Sequence, residues 1–194
     1  MRRAAAERIT ALLRGPARSA AMSTRGAGSG GARWASGRTE SGERKEGHER
    51  TAPRITRKEM LALVQSVKIT PIDHNLAVEH LGFGTARFRL RVEQDNLRPG
   101  GTVSGPILFT LTDLVAWSVV CTLKGRSAMS VTTSVSIDFL SKPKPENDLI
   151  AVGETLKNGK RLVVSRVSIF SDGRMDWPVA HATVTYSVPP TPKL

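Results

Sequence analysis

Cysteine is almost missing from this chain of 194 residues. The single one, Cys121, excludes a disulfide framework and a multi-cysteine zinc site. Set among Val119, Val120 and Leu123, it reads as a buried structural thiol. Histidine is scarce too. His74, His80 and His181 follow no ligand spacing, so neither a metal centre nor a Ser–His–Asp relay is legible. No run approaches the roughly 18 apolar residues of a spanning helix, which argues against a membrane-embedded chain. Internal repeats are lacking. What remains, 39% hydrophobic and 24% charged residues, suits one ordinary domain with a real core.

Positive charge dominates, but unevenly. The formal net charge is +12, and residues 1–54 hold twelve Arg and Lys against five Glu. A tail this basic attracts polyanions through counterion release. Trp34 is its only ring, however, and no aromatic platform interleaves the arginines, so nucleic acid is not the expected partner. Beyond Leu13 the segment has almost no large apolar side chains with which to offset its ordering entropy. Residues 1–54 are therefore expected to be a disordered basic extension or a transit peptide. Ile9, Leu12 and Leu13 oppose Arg2, Arg3, Arg8 and Arg14, and Glu7 is the sole acid before Glu40. An upstream start with Met22 as a later one is a third reading. These readings imply a cytoplasmic protein if bacterial, or one of the mitochondrial matrix if the segment is a transit peptide.

Residues 55–190 carry the pattern of a fold. In "TRKEMLALVQSV", Thr56 and Glu59 form a capping box ahead of the stripe Met60, Leu61, Leu63, Val64 and Val67, which predicts a short helix. "TARFRLRVEQD" alternates Ala86, Phe88, Leu90 and Val92 with charged residues, a half-buried strand. An apolar helix is predicted from Pro106 to about Leu123. Four strand-like runs follow. The first sets Val131, Thr133, Val135, Ile137 and Phe139 against Thr132, Ser134, Ser136 and Asp138. The second ends in the hairpin signal "NGK", the third in "DG", and "WPVAHATVTYSV" is the last. One long helix against one antiparallel sheet is an α+β arrangement.

The stretch "RPGGTVSGPILFTLTDLV", Arg98 to Val115, poses the functional question. An apolar helix carries one carboxylate, Asp113, two turns beyond a glycine that opens it. Backbone N–H groups at a helix start lack intrahelical partners and sit at the positive end of the dipole, where a developing oxyanion is favoured. Gly105 lets a ligand approach that backbone closely. Near Phe109, Ala116 and Trp117, desolvation of Asp113 would improve its basicity. The plain alternative is a solvated helix carboxylate.

This stretch, with "SVTTSVSIDFLSKPKPENDLIAVGETLKNGKRLVVSRVSIFS" and "AHATVTYSVPP", resembles the hotdog-fold acyl-CoA thioesterases of the PaaI type over about residues 56–190. The resemblance implies a long central helix wrapped by a curved antiparallel sheet, and protomers that pair as a dimer or a dimer of dimers. It implies hydrolysis of acyl-CoA without metal or redox cofactor, coenzyme A entering only as part of the substrate. Asp113 takes the position of the acid that activates water, and Gly105 that of the carbonyl-polarising glycine. Ser104 stands where the family usually has His, and Arg98 where it usually has Asn. Thr132 matches the later Ser or Thr that positions water from the partner subunit, with Thr133 one register away.

Bland readings stand beside these. Ser104 also suits a helix cap, Gly100, Gly101 and Gly105 also suit turn geometry alone, and Lys142, Lys160 and Arg161 suit solvated charge as well as CoA phosphates. A hotdog dehydratase would need a histidine near the motif. A non-catalytic acyl-CoA-binding or sensing module remains the alternative from another class.

Overall fold

The computed structural model describes residues 52–67, 72–127 and 129–190. All but the last three residues of the expected basic extension lie outside these. Helix α1 (Arg57–Val67) starts as the sequence predicts. The Thr56 N–H donates to the Glu59 carboxylate at 2.9 Å, and the Glu59 N–H donates back to Thr56 Oγ1 at 3.3 Å. Met60, Leu63 and Val64 form its buried face.

Two strands follow, β1 (Leu76–Gly82) and β2 (Thr85–Leu90), turning at Gly84 with φ 75°. Sequence alternation left β1 undelimited because a register shift between Val78 and His80 breaks its period. Short strands β3 (Leu97–Arg98) and β4 (Thr102–Val103) make a separate two-stranded ladder, closed by Gly100 and Gly101, both at positive φ. Helix α2 (Gly105–Lys124) begins one residue before the predicted start, with Ser104 at the N-cap, and ends at Gly125. Then come β5 (Val131–Phe139), β6 (Leu149–Asn158), β7 (Leu162–Ser171) and β8 (Arg174–Ser187).

Six strands form one antiparallel sheet in the order β1-β2-β6-β7-β8-β5, and α2 packs across it. This is the hotdog arrangement. The helix is buried nearly all round, with Leu111, Val115, Val119 and Cys121 fully enclosed. A Cβ on Gly153 of β6 would come within 2.7 Å of Val115 and 2.9 Å of Val119, so the missing side chain is what seats the helix on the sheet. One expectation needs correction. The helix is long and apolar enough, at 20 residues and mean hydropathy 1.7, to cross a membrane. Its Thr and Ser residues masked the run in the sequence. In the fold, 78% of that window is buried inside the protein, as befits a core helix.

Outside the core, Arg89 of β2 ties three elements together. It reaches Glu79 at 2.6 Å, Asp148 at 3.1 Å and Asp172 at 2.6 Å. The hydrogen bond from Arg89 holds Asp172 below the usual carboxylate range. For Glu79, partial burial pushes upward, and the bonds from Arg89 and Arg87 outweigh it.

Strand β5 departs from its predicted two-faced pattern. Both faces are largely exposed, because the strand is the sheet's free edge: Val131 is 60% and Phe139 55% exposed. Its alternation is also broken. Thr132 pairs with Tyr186 and Ser134 with Thr185, leaving Thr133 as a bulge residue. The extra residue turns Thr132 onto the same helix-facing side as Val135 and Ile137, from which simple alternation would have excluded it.

Candidate active site

Asp113 is half buried on the face of α2 turned toward β5 and β8. Its Oδ1 accepts one hydrogen bond from Thr132 Oγ1 at 2.7 Å and another from the Tyr186 hydroxyl at 2.8 Å. The same phenol lies 3.2 Å from the Asp113 carbonyl oxygen. Thr132 and Tyr186 stand opposite each other across β5 and β8, so a cross-strand pair grips one carboxylate oxygen. Tyr186 is buried, and that burial first of all, with the Asp113 charge beside it, pushes its phenol well above the ordinary range. It is therefore a permanent donor. Asp113 also lines a cleft of about 260 Å³, whose walls include Val67, Trp117, Ser130 and Val131.

Tyr186 was not singled out from the sequence. A tyrosine one residue before the end of a strand carries no motif, and only the register with Thr132 reveals it. Thr132, which the resemblance matched to a residue that positions water from the partner subunit, donates here to the Asp113 of its own chain.

Gly105 faces a second cleft, about 230 Å³, shared with Arg98, Leu108, Phe139 and Lys142. Eight residues of helix separate it from Asp113, roughly 12 Å along the axis and about 80° in rotation. Within one protomer the two therefore open into different clefts. Arg98 donates from Nε to Thr102 Oγ1 at 2.8 Å, which braces the β3–β4 turn beside Gly105. Ser104 occupies the N-cap, but its side chain makes no capping bond, so the capping role is not realised. The Thr133 hydroxyl donates to the Thr185 carbonyl at 3.1 Å, away from Asp113. Lys160 and Arg161 sit exposed in the β6–β7 turn and line neither cleft. Cys121 is enclosed, and burial pushes its thiol up to about 11, which makes it inert as a nucleophile. Among the described residues no group of three His, Cys, Asp or Glu is placed to hold a metal ion.

A hotdog sheet around an apolar helix, with an acid on the helix and a glycine at its start, defines a class. The chain belongs to the thioesterase superfamily, whose family profile matches residues 100–178. A proposed thioesterase from Silicibacter sp. TM1040 is 35% identical, over 73% of this chain and 97% of that one, with a TM-score of 0.63. A hypothetical thioesterase from Streptococcus pneumoniae TIGR4, solved with coenzyme A, is 27% identical over 69% of this chain and 99% of its own, with a TM-score of 0.60. Human acyl-coenzyme A thioesterase 13 is 28% identical over 81 residues. That match takes in 41% of this chain, and the chain spans only 56% of the human protein's length.

Proposed function

We propose that the protein hydrolyses acyl-CoA thioesters to the free acid and coenzyme A. The observation that carries this is the Asp113 carboxylate, which lines a cleft and is fixed through Oδ1 by Thr132 and Tyr186. In the reaction, Asp113 takes a proton from water as the water oxygen attacks the thioester carbonyl carbon. The Gly105 N–H receives the resulting oxyanion at the positive end of α2. The C–S bond then breaks and the proton passes to the departing thiolate. No metal or redox group is needed for these steps.

Self-association belongs to the same proposal. Strand β5 is a free edge that runs from Thr132, at the Asp113 cleft, to Phe139, at the Gly105 cleft. Antiparallel pairing of β5 with its copy brings the Thr132 end of one protomer to the Phe139 end of the other. Each acid then meets the other chain's helix start, and the 12 Å gap along one helix ceases to matter.

The test is a thioester panel assayed with wild type, Asp113→Ala and Asp113→Asn, with folding checked by circular dichroism. Loss of about 10²–10⁴-fold in kcat with folding retained is expected. Full activity in Asp113→Ala would refute the assignment. Tight acyl-CoA binding without turnover by the wild type would select the non-catalytic reading instead.

A further inference from the structure

Where α2 ends, the fold leaves three large apolar side chains in water. Phe83 at the β1–β2 turn is 39% exposed, Leu156 near the end of β6 52%, and Leu162 at the start of β7 47%. Hydrogen bonds hold these turns and the helix end together. The Gly84 carbonyl accepts from the Thr155 N–H at 2.8 Å and from the Thr155 hydroxyl at 3.0 Å. The Gly84 N–H donates to Thr122 Oγ1, and Lys124 Nζ to the Gly159 carbonyl, each at 3.0 Å. Leu156 is the extra residue of a bulge between Thr155 and Lys157, and Leu162 alternates with buried Val163, which puts it on the outer face of the sheet. Leu162 pairs with Ser187, and Ser187 with Val131, so the exposed row runs on to a wall of the Asp113 cleft.

Charge at this end has one sign. From Thr155 to Ser171 the chain carries Lys157, Lys160, Arg161 and Arg166 and no acid. Arg166 pairs with Glu154, while Lys157, Lys160 and Arg161 are exposed and form no ion pair among the described residues. The carboxylates on adjoining elements are engaged: Glu79 holds Arg87 and Arg89, and Glu59 holds Thr56 in its capping box. Exposed leucines and a phenylalanine interleaved with free cations suit an interface that is apolar within and anionic at its surface. A nucleic acid would answer the charge and leave the leucines unexplained, since Phe83 is the one ring available for stacking.

We propose that this end of the fold docks on the surface of an anionic phospholipid bilayer. Phe83, Leu156 and Leu162 enter the boundary between headgroups and acyl chains, and Lys157, Lys160 and Arg161 meet the lipid phosphates. The protein lies on the membrane and does not span it, because α2 stays enclosed in its own sheet. Docking in this way sets the Val131 wall of the Asp113 cleft beside the bilayer. The proposal is independent of the thioesterase reading, since it concerns the surface and not the reaction.

Vesicle co-sedimentation with the full chain tests it, using phosphatidylcholine alone and phosphatidylcholine mixed equally with phosphatidylglycerol. Wild type is compared with the triple variant Lys157→Ala/Lys160→Ala/Arg161→Ala and the double variant Leu156→Ser/Leu162→Ser, each checked for native folding by circular dichroism. Wild type should bind the mixed vesicles and bind phosphatidylcholine alone far more weakly. The triple variant should lose roughly fivefold in affinity for each cation removed, on the order of 100-fold in all. The double variant should lose roughly tenfold or more, as the apolar anchor goes while the charge stays. No binding by wild type, or equal binding to both vesicle types, overturns the proposal. Wild-type affinity in the double variant overturns it as well, and makes the surface a patch for any polyanion, nucleic acid included. Wild-type affinity in both variants assigns the binding to the basic N-terminal segment, and wild-type affinity in the triple variant alone removes the cations from it; either result overturns the proposal.

Discussion

Replacing Tyr186 with Phe deletes one hydroxyl and leaves the ring in place. The lost bond is the 2.8 Å donation to Asp113 Oδ1, with the longer contact to the Asp113 carbonyl. A hydrogen bond to a charged group is worth about 1.5–3 kcal/mol. Asp113 is half buried, so water replaces part of what is lost and the lower half of that range applies. About 1.5–2 kcal/mol corresponds to roughly 10–30-fold in kcat, if the hydroxyl's task is to aim the carboxylate. KM should stay near wild type, because the phenyl ring keeps its share of the cleft wall. Stability falls by about 1 kcal/mol, or roughly 2–4 °C in Tm for a chain of this size. Thr132→Val removes the other donor at similar cost. The double variant should lose less than the product of the two, since either deletion already lets the carboxylate swing. The assay is steady-state hydrolysis of an acyl-CoA by the three variants, with thermal melts alongside. Wild-type kcat in both single variants, with Asp113→Ala inactive, would show that the grip on Oδ1 is irrelevant to the chemistry.

Two further outcomes are expected. Gly105→Ala should fold, since its Cβ meets only the Phe139 ring at 3.8 and 3.9 Å, and the better helix former adds up to about 1 kcal/mol of stability. Thioester kcat/KM should nonetheless fall roughly 10–100-fold as the methyl displaces the carbonyl from the N–H; an unchanged value would remove Gly105 from the mechanism. Arg89→Gln should cost about 1–2 kcal/mol at neutral pH, discounted because Asp172 is half exposed. The depressed carboxyls of Asp172 and Glu79 contribute stability above their unfolded pKa and lose it as pH falls through the folded value. Urea unfolding at pH 7 and pH 3 should therefore show the wild-type advantage shrinking in acid, and a constant difference would contradict the linkage.

Local signals made much of this fold legible. The Thr56–Glu59 box and the apolar run of α2 are short-range patterns that tertiary packing did not overrule. The acid and glycine of the site stood out because a carboxylate inside an apolar helix is costly and therefore conspicuous. What failed to show was set by pairing register. The bulge at Thr133 decides that Thr132 faces Asp113, and nothing in "SVTTSVSIDF" marks it. Tyr186 matters only through its position opposite Thr132. The exposure of β5 was equally hidden, since an edge strand and an interior strand share one alternating pattern.

The grip of Thr132 and Tyr186 on Asp113 also indexes α2 by angle. Inserting or deleting one residue between Gly105 and Asp113 rotates everything beyond it by roughly 100°. Asp113 would then turn away from both hydroxyls, and Val115 and Val119 away from the seat at Gly153. Site and core thus share a single rotational phase. Length variation in this protein is free only outside that eight-residue span, in the turns before the helix and between the strands.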